Sequence, residues 1–128
     1  MKIEFTVTAD PRPKGRPRLG RYGNVFTPKA TRDAEEEFLK QALKHRPKKP
    51  FTGPIKLTLT CYKKKTKKLI GKYVTKRPDL DNYCKLITDS LNEWFWVDDS
   101  QIAELHASKK YGLVACTEVC IEEIEETI

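Results

Sequence analysis

The chain is poor in the residues that most often bind zinc, and it lacks any long apolar run. It has two histidines, His45 and His106, and four cysteines in 128 residues. No two cysteines form a C-x-x-C pair and neither histidine lies at metal-ligand spacing from a cysteine, so no zinc site is expected. The cysteines are instead expected to be buried, reduced thiols. No apolar run approaches the ~20 residues of a membrane span, so no membrane partner is expected.

The N-terminus lacks the apolar segment and small-residue cleavage site of a signal peptide, which predicts a cytoplasmic protein. Residues 3–9 instead alternate apolar and polar side chains, as a half-buried strand does. A chain of this length can bury a core without disulfide bonds. We therefore expect one domain, residues 1–128.

Acidic residues are outnumbered: 25 Lys and Arg accompany 18 Asp and Glu, and the net charge is +7. This excess favours a polyanionic partner, and its distribution along the chain is more informative than its total. A basic arm at residues 10–22 contains three prolines and two glycines, which exclude a helix. A basic loop at residues 63–77 has Lys or Arg at eight of its fifteen positions. Its like charges should repel one another and keep it mobile without a ligand.

Both basic segments predict contacts with phosphates, although the loop could also be an ordinary solvated loop. The side chains expected to make these contacts are Lys14, Arg16, Arg18, Lys63, Lys64, Lys65, Lys67, Lys68 and Arg77. Tyr22 and Phe26 add aromatic rings beside the arm. Their rings could stack on bases or pack in the protein, and the sequence leaves both open.

Two helices are predicted. The first has Thr27 as N-cap and Pro28 at the first helical position, and it runs to about residue 44. The second has Asp79 as N-cap and runs to about residue 93. Its core-facing side chains recur at helical spacing and are Leu80, Cys84, Ile87 and Leu91.

Besides residues 3–9, strands are predicted at 55–62, 103–110 and 114–124, where apolar and polar residues alternate. The last two are close enough in the chain to form a hairpin that turns near Tyr111-Gly112. The fold class is therefore α+β, a mixed sheet of about four strands packed with two main helices. Trp94, Phe95 and Trp96 are expected in the core or a dimer interface more than in base stacking.

Carboxylates are concentrated in one part of this basic chain. Asp79 and Asp81 lie in the first turn of the second helix, Lys85 follows one turn later, and Asp98-Asp99 come after a short apolar piece. Taken alone, Asp79 could be a cap, and Asp81 and Lys85 an exposed ion pair. Mg²⁺ prefers oxygen ligands and substrate phosphates, and it can activate a water towards a phosphodiester. Acids that follow two basic segments in the chain therefore favour a metal-dependent nuclease.

Several motifs together carry a resemblance to a known family. They are Pro78-Asp79-Leu80-Asp81-Asn82, Lys85, Asp89-Ser90-Leu91-Asn92, Trp96-Val97-Asp98-Asp99-Ser100-Gln101-Ile102, Pro13-Lys14-Gly15-Arg16-Pro17-Arg18 and Thr27-Pro28-Lys29. In this combination the chain resembles the RusA-type crossover junction endodeoxyribonucleases, or Holliday junction resolvases, which are common in phages and prophages.

The resemblance implies a RusA-like fold and a homodimeric, Mg²⁺-dependent nuclease of DNA recombination and repair, with Mn²⁺ as a substitute ion. Its partner would be branched double-stranded DNA, a four-way junction that is nicked symmetrically on two strands. Carried over by position, Asp79, Asp81 and Asp99 would be catalytic, metal-binding carboxylates, and Lys85 a catalytic lysine. A nuclease for other branched or single-stranded nucleic acid, and a non-catalytic DNA-binding module, remain alternatives.

Overall fold

The computed structural model describes residues 1–10, 18–19, 23, 25–26 and 28–126, with the backbone alone for 18–19 and 25–26. Within those residues the strands are β1 (Lys2–Val7), β2 (Arg18–Leu19), β3 (Val25–Phe26), β4 (Ile55–Lys64), β5 (Ile102–Gly112) and β6 (Cys116–Glu123). The main sheet has the order β1-β6-β4-β5, and β2 pairs with β3 separately. Only the β4–β5 pair is parallel among the main-sheet pairs. The predicted α+β class with a mixed four-stranded sheet is confirmed.

The central strand β4 separates a buried face from a polar face. Ile55, Leu57, Leu59 and Cys61 are buried, while the residues between them are half-buried. Alternate residues of a strand point to opposite faces, so one apolar face of the sheet remains to be covered. Two helices pack on it and close the core.

The first helix, α1 (Lys29–Ala42), continues as a 3-10 turn at Leu43–His45. Its Phe38 and Ala42 are buried against the sheet. Pro28 is the N-cap rather than the first helical residue, so that prediction was off by one position. The predicted cap, Thr27, lies outside the described residues.

The second helix, α2 (Leu80–Leu91), follows Asp79, which holds the predicted N-cap position. Cys84, Ile87 and Leu91 are buried as their spacing predicts. No helix in the described part of the chain is both long and apolar enough to cross a membrane.

The predicted hairpin between β5 and β6 is wrong. Both strands flank β4, which pairs in parallel with β5 and antiparallel with β6. The three residues between them, 113–115, therefore cross over the end of β4. Gly112 allows this crossing, because a Cβ there would lie 3.0 Å from the Tyr62 ring. Local chain proximity favoured the hairpin, and nonlocal pairing of β4 with both strands overrode it.

The basic loop begins later than predicted and is tied to β5. Lys63 and Lys64 belong to β4 rather than to the loop. Val74 is buried, and its N–H donates to Lys109 O at 3.0 Å. Tyr111 N–H donates to Lys72 O at 2.9 Å. Residues 71–74 thus lie along the outer edge of β5 near its C-terminal end, and mobility of the loop stays a prediction.

The aromatic cluster after α2 divides between core and surface. Phe95 and Trp96 are fully buried, so core packing is confirmed for them. Trp94 is 42% exposed, and the Arg46 guanidinium lies 5.5 Å from its ring centroid. Tyr22 lies outside the described residues, as does the side chain of Phe26.

Candidate active site

Two exposed carboxylates lie at the start of α2. Asp79 is the N-cap residue, but its side chain makes no capping hydrogen bond. Asp81 is in the first turn and is also exposed. Negative charge is favoured near a helix N-terminus by the unpaired N–H groups and the helix dipole. The capping alternative for the Asp79 side chain is therefore not what the structure shows, and both carboxylates face solvent.

A polar stripe runs along α2 at a spacing of four residues and consists of Asp81, Lys85 and Asp89. Lys85 Nζ lies 3.2 Å from Asp89 Oδ1, an i,i+4 ion pair. The exposed pair considered for Asp81 and Lys85 thus has a different acidic partner. Asp89 was not among the predicted site residues, although its spacing from Lys85 was a usable signal. Its side chain is only 19% exposed, so the pair is partly shielded from water.

Asp99 is held by the fully buried Trp96. The indole Nε1–H donates to Asp99 Oδ1 at 2.8 Å. Partial burial raises the pKa of Asp99 above its ordinary value, against the Trp96 hydrogen bond that lowers it. The neighbouring charge of Asp89 raises this pKa further, while Lys85 opposes the rise. Asp99, Asp89 and Lys85 therefore form one electrostatic group.

Asp98 has a structural role that separates it from Asp99. Its carboxylate accepts from Ser100 N–H at 3.0 Å, and Gln101 Oε1 accepts from Asp98 N–H at 2.8 Å. This reciprocal arrangement caps the 3-10 turn Asp99–Gln101. The hydrogen bonds from Ser100 lower the pKa of Asp98. The carboxamide of Gln101 also donates to two backbone carbonyls, of Phe51 and Gly53. The Asp-Asp-x-Gln pattern thus fixes the turn that presents Asp99.

The predicted site residues are spread along α2 rather than gathered at a point. Lys109 Nζ donates to Pro78 O at 2.8 Å, which places the start of α2 beside the C-terminal part of β5. Asp99 instead begins the 3-10 turn that leads into the first residue of β5. Eight residues of helix separate Asp81 from Asp89, about 12 Å along the axis.

This spread bears on the metal that the carboxylates suggest. Oxygen donors suit Mg²⁺, so the chemistry of the set fits such an ion. Within residues 1–10 and 28–126, however, no three His, Cys, Asp or Glu side chains are arranged to hold one. We therefore derive no catalytic step through a metal from this geometry.

The lysine-rich surface lies at the same end of the sheet as Asp79 and Asp81. Lys63 Nζ donates to Arg77 O at 3.1 Å, which joins the end of β4 to the segment just before α2. The other predicted cations of this region are exposed and are Lys64, Lys65, Lys67, Lys68 and Arg77. Lys14 and Arg16 lie outside the described residues, and Arg18 is described by its backbone alone. Exposed cations beside exposed carboxylates suit a substrate with many phosphates.

Comparison with known proteins decides the family. The model of the family described as endodeoxyribonuclease RusA matches residues 9–122. The chain belongs to this family. The match includes the basic loop, α2 and Asp99, so all the candidate acids lie inside it. RusA family membership implies an enzyme that cuts DNA internally, and it confirms the resemblance seen in the motifs.

Two relatives of this RusA family chain have different coverage. One is the uncharacterized protein YqaN of Bacillus subtilis (strain 168), 36% identical over 141 residues, with 95% of this chain and 96% of the relative covered. Another is the crossover junction endodeoxyribonuclease rusA of Lactococcus phage r1t, 41% identical over 73 residues. That match covers 54% of this chain and 56% of the phage protein.

Proposed function

We propose that this protein is a divalent-metal-dependent endodeoxyribonuclease that resolves four-way DNA junctions by paired, symmetric phosphodiester hydrolysis. It would act as a homodimer in DNA recombination and repair. The observation that carries the proposal is the polar stripe of α2, which leads from the basic surface to the Asp99 turn. The name of the phage relative supports a junction as substrate.

Asp79, Asp81 and Asp99 are the proposed metal ligands, for Mg²⁺ or Mn²⁺. When bound, the ion would activate a water and neutralise charge on the scissile phosphate. The raised pKa of Asp99 fits a ligand role, because a half-buried carboxylate beside Asp89 gains stability from a nearby cation. Asp81 and Asp99 lie towards opposite ends of α2, so Asp99 stands apart from Asp79 and Asp81 within one chain.

Lys85 is the proposed catalytic cation. An ammonium group aimed at a phosphate stabilises the negative charge that develops in the transition state. The Asp89 carboxylate, 3.2 Å from Lys85 Nζ, would hold that group on the exposed face of α2. Asp89 is therefore a proposed positioning residue, and its spacing of one turn keeps both side chains on the same face.

The lysines at the end of β4 and in the basic loop are the proposed DNA contacts. Lys64, Lys65, Lys67 and Lys68 are exposed and have no ion-pair partner that the described residues supply. Neutralising phosphates with such side chains releases counterions, which makes binding strong at low salt. Phosphate contacts of this kind position the backbone and carry no base sequence information.

A cleavage assay on matched substrates tests the substrate class. A synthetic four-way junction, a splayed duplex and a linear duplex of the same sequence would be incubated with Mg²⁺ or with a chelator. We expect paired nicks at symmetric positions in the junction, little cutting of the linear duplex, and no cutting with chelator. Equal cleavage of all three substrates would contradict junction selectivity, and undiminished cleavage in chelator would contradict metal dependence.

A further inference from the structure

Among the residues that the structure describes, no strand pairs with the outer edge of β5 along part of its length. β5 is an edge strand of the main sheet, and its inner edge pairs with β4. Residues 71–74 cover its outer edge from Lys109 onwards, through the bonds of Lys109 O and Tyr111 N–H. The 3-10 turn Asp99–Gln101 precedes the strand. Residues 102–108 are left as an open edge window, along which the described part of the chain places no strand.

The open edge window lacks the usual protection of an edge strand. It contains neither Lys nor Pro, the residues that commonly blunt such edges. Leu105, at its centre, is 49% exposed although it lies beside the buried Leu57 on the helix-covered face. Glu104 and His106 are exposed on the opposite face. An exposed, apolar-centred strand edge is a template for pairing with another strand.

We propose that the open edge window pairs antiparallel with the same window of a second copy of this chain, across a two-fold axis at Leu105. The inference deepens the proposed function, because it rests on the two-fold dimer that paired cleavage requires and names the surface that would form it. The interface would be isologous, with the same residues on both copies.

The backbone has the correct alternation for this pairing. Lys109 O and both polar groups of Tyr111 point to the outer edge of β5. Because alternate residues of a strand point their N–H and C=O to the same side, Leu105 and Ala107 point outward as well. Leu105 N–H can then donate to the carbonyl of the partner's Leu105, and the reverse. The register shift near Ile55 places an extra β5 residue, Ala103, before this regular stretch.

Side-chain charge selects the register. With the axis at Leu105, each Glu104 lies opposite the partner's His106, so a carboxylate meets an imidazole donor twice. With the axis at Glu104, two carboxylates would face each other, and like charges directly opposite are destabilising. With the axis at His106, the two imidazoles would face each other and Glu104 would lose this partner. The placement of Glu104 and His106 on either side of Leu105 therefore favours the axis at Leu105.

The resulting assembly would place two equivalent sites in one continuous sheet. An axis through an antiparallel strand pair is perpendicular to the sheet, so both helix layers lie on the same side. Asp99 stands three residues before the window in each copy. The two polar stripes would then face the same DNA surface, as symmetric nicking requires.

Sedimentation velocity on the full chain without DNA tests the interface. We expect a dimer at micromolar concentration for the natural protein and for Leu113→Arg, whose residue is 59% exposed outside the window. Leu105→Arg should raise the dimer dissociation constant by about tenfold or more, because it buries two cations at the axis. A monomeric natural protein, or a Leu105→Arg dimer of unchanged strength, would overturn the proposal.

Charge exchange tests the register. His106→Glu should weaken the dimer, since it places a carboxylate opposite Glu104 on each side of the axis, and adding Glu104→Lys should restore it. A double variant no stronger than His106→Glu alone would refute this pairing.

Cross-linking gives a second test that does not depend on dimer strength. Residues of a hydrogen-bonded antiparallel pair have Cα atoms about 5.5 Å apart, within disulfide range. In a chain with Cys116→Ser and Cys120→Ser, Leu105→Cys should oxidise to a covalent dimer and Leu113→Cys should not. Equal cross-linking of both would refute the axis at Leu105.

Cleavage of the junction by the same proteins separates the two claims. A dimeric Leu105→Arg protein that still makes paired nicks would refute this interface and leave the nuclease proposal standing. If the natural protein cuts no junction but Leu105→Arg abolishes its dimer, the interface is supported and the nuclease proposal is refuted.

Discussion

The buried hydrogen bond between Tyr83 and Thr117 anchors α2, and with it the polar stripe, to β6. Tyr83 Oη and Thr117 Oγ1 are 2.6 Å apart, and both residues are buried. Tyr83 lies between Asp81 and Lys85 in the chain, on the opposite side of the helix. We therefore expect substitutions of this pair to lower stability more than they alter the exposed groups.

The two single substitutions should differ in cost. Thr117→Val leaves the Tyr83 hydroxyl buried without its partner, at a cost of about 2 kcal/mol. Tyr83→Phe leaves Thr117 next to the Cys61 thiol, with which it also interacts. Because the Cys61 sulfur can still accept, although weakly, from the Thr117 hydroxyl, the cost of Tyr83→Phe should be lower, about 1 kcal/mol. The double variant removes both hydroxyls and should cost less than the sum, by about 1 kcal/mol.

Urea unfolding followed by tryptophan fluorescence measures these differences. Protein concentration must be fixed, because a dimer makes apparent stability depend on it. An unchanged urea dependence would show that the midpoint shifts report stability. If Thr117→Val cost no more than Tyr83→Phe, or if the two costs were additive, the buried bond would not be the anchor of α2.

Three further predictions concern the site. In Trp96→Phe, loss of the indole donor should raise the pKa of Asp99 further. The acid limb of the cleavage pH profile should therefore move to higher pH. An unmoved limb would argue against Asp99 as an ionised catalytic group. Asp98→Ala should lower cleavage by loosening the turn while junction binding is kept, and full activity would show that the cap is dispensable. The double variant Lys67→Ala and Lys68→Ala should reduce the slope of log affinity against log salt by up to about two; anisotropy titrations would measure it, and an unchanged slope would remove both lysines from the DNA surface.

Local pattern was sufficient for the elements that carry the site. The alternation of β4 and the helical spacing of Cys84, Ile87 and Leu91 are properties of single segments that bury one face. The structure confirms both because tertiary packing agrees with them. Asp79 could be placed at the N-cap position because Asp before the first apolar residue of a helical pattern is also a local signal.

Nonlocal relations could not be predicted from the chain. The hairpin failed because β4, some forty residues earlier in the sequence, lies between β5 and β6. The 3-10 turn after Trp96 is one example, because hydrogen bonds from Gln101 to Phe51 and Gly53 hold it in place. The hydrogen bond from Trp96 to Asp99 and the capping by Asp98 both depend on the shape of this turn. The metal ligand set also depends on distances along α2 that residue spacing alone does not give.

The central claim is that the carboxylates of α2 take part in catalysis and do not merely add negative charge to the protein surface. A direct measurement compares Asp81→Asn with Asp33→Asn, a matched exposed aspartate on α1, in binding and cleavage of a four-way junction with Mg²⁺. We predict that both variants bind as the natural protein does, that Asp33→Asn cuts normally, and that Asp81→Asn loses cleavage by about a hundredfold or more. An Asp81→Asn protein that resolves the junction at the natural rate would contradict the account.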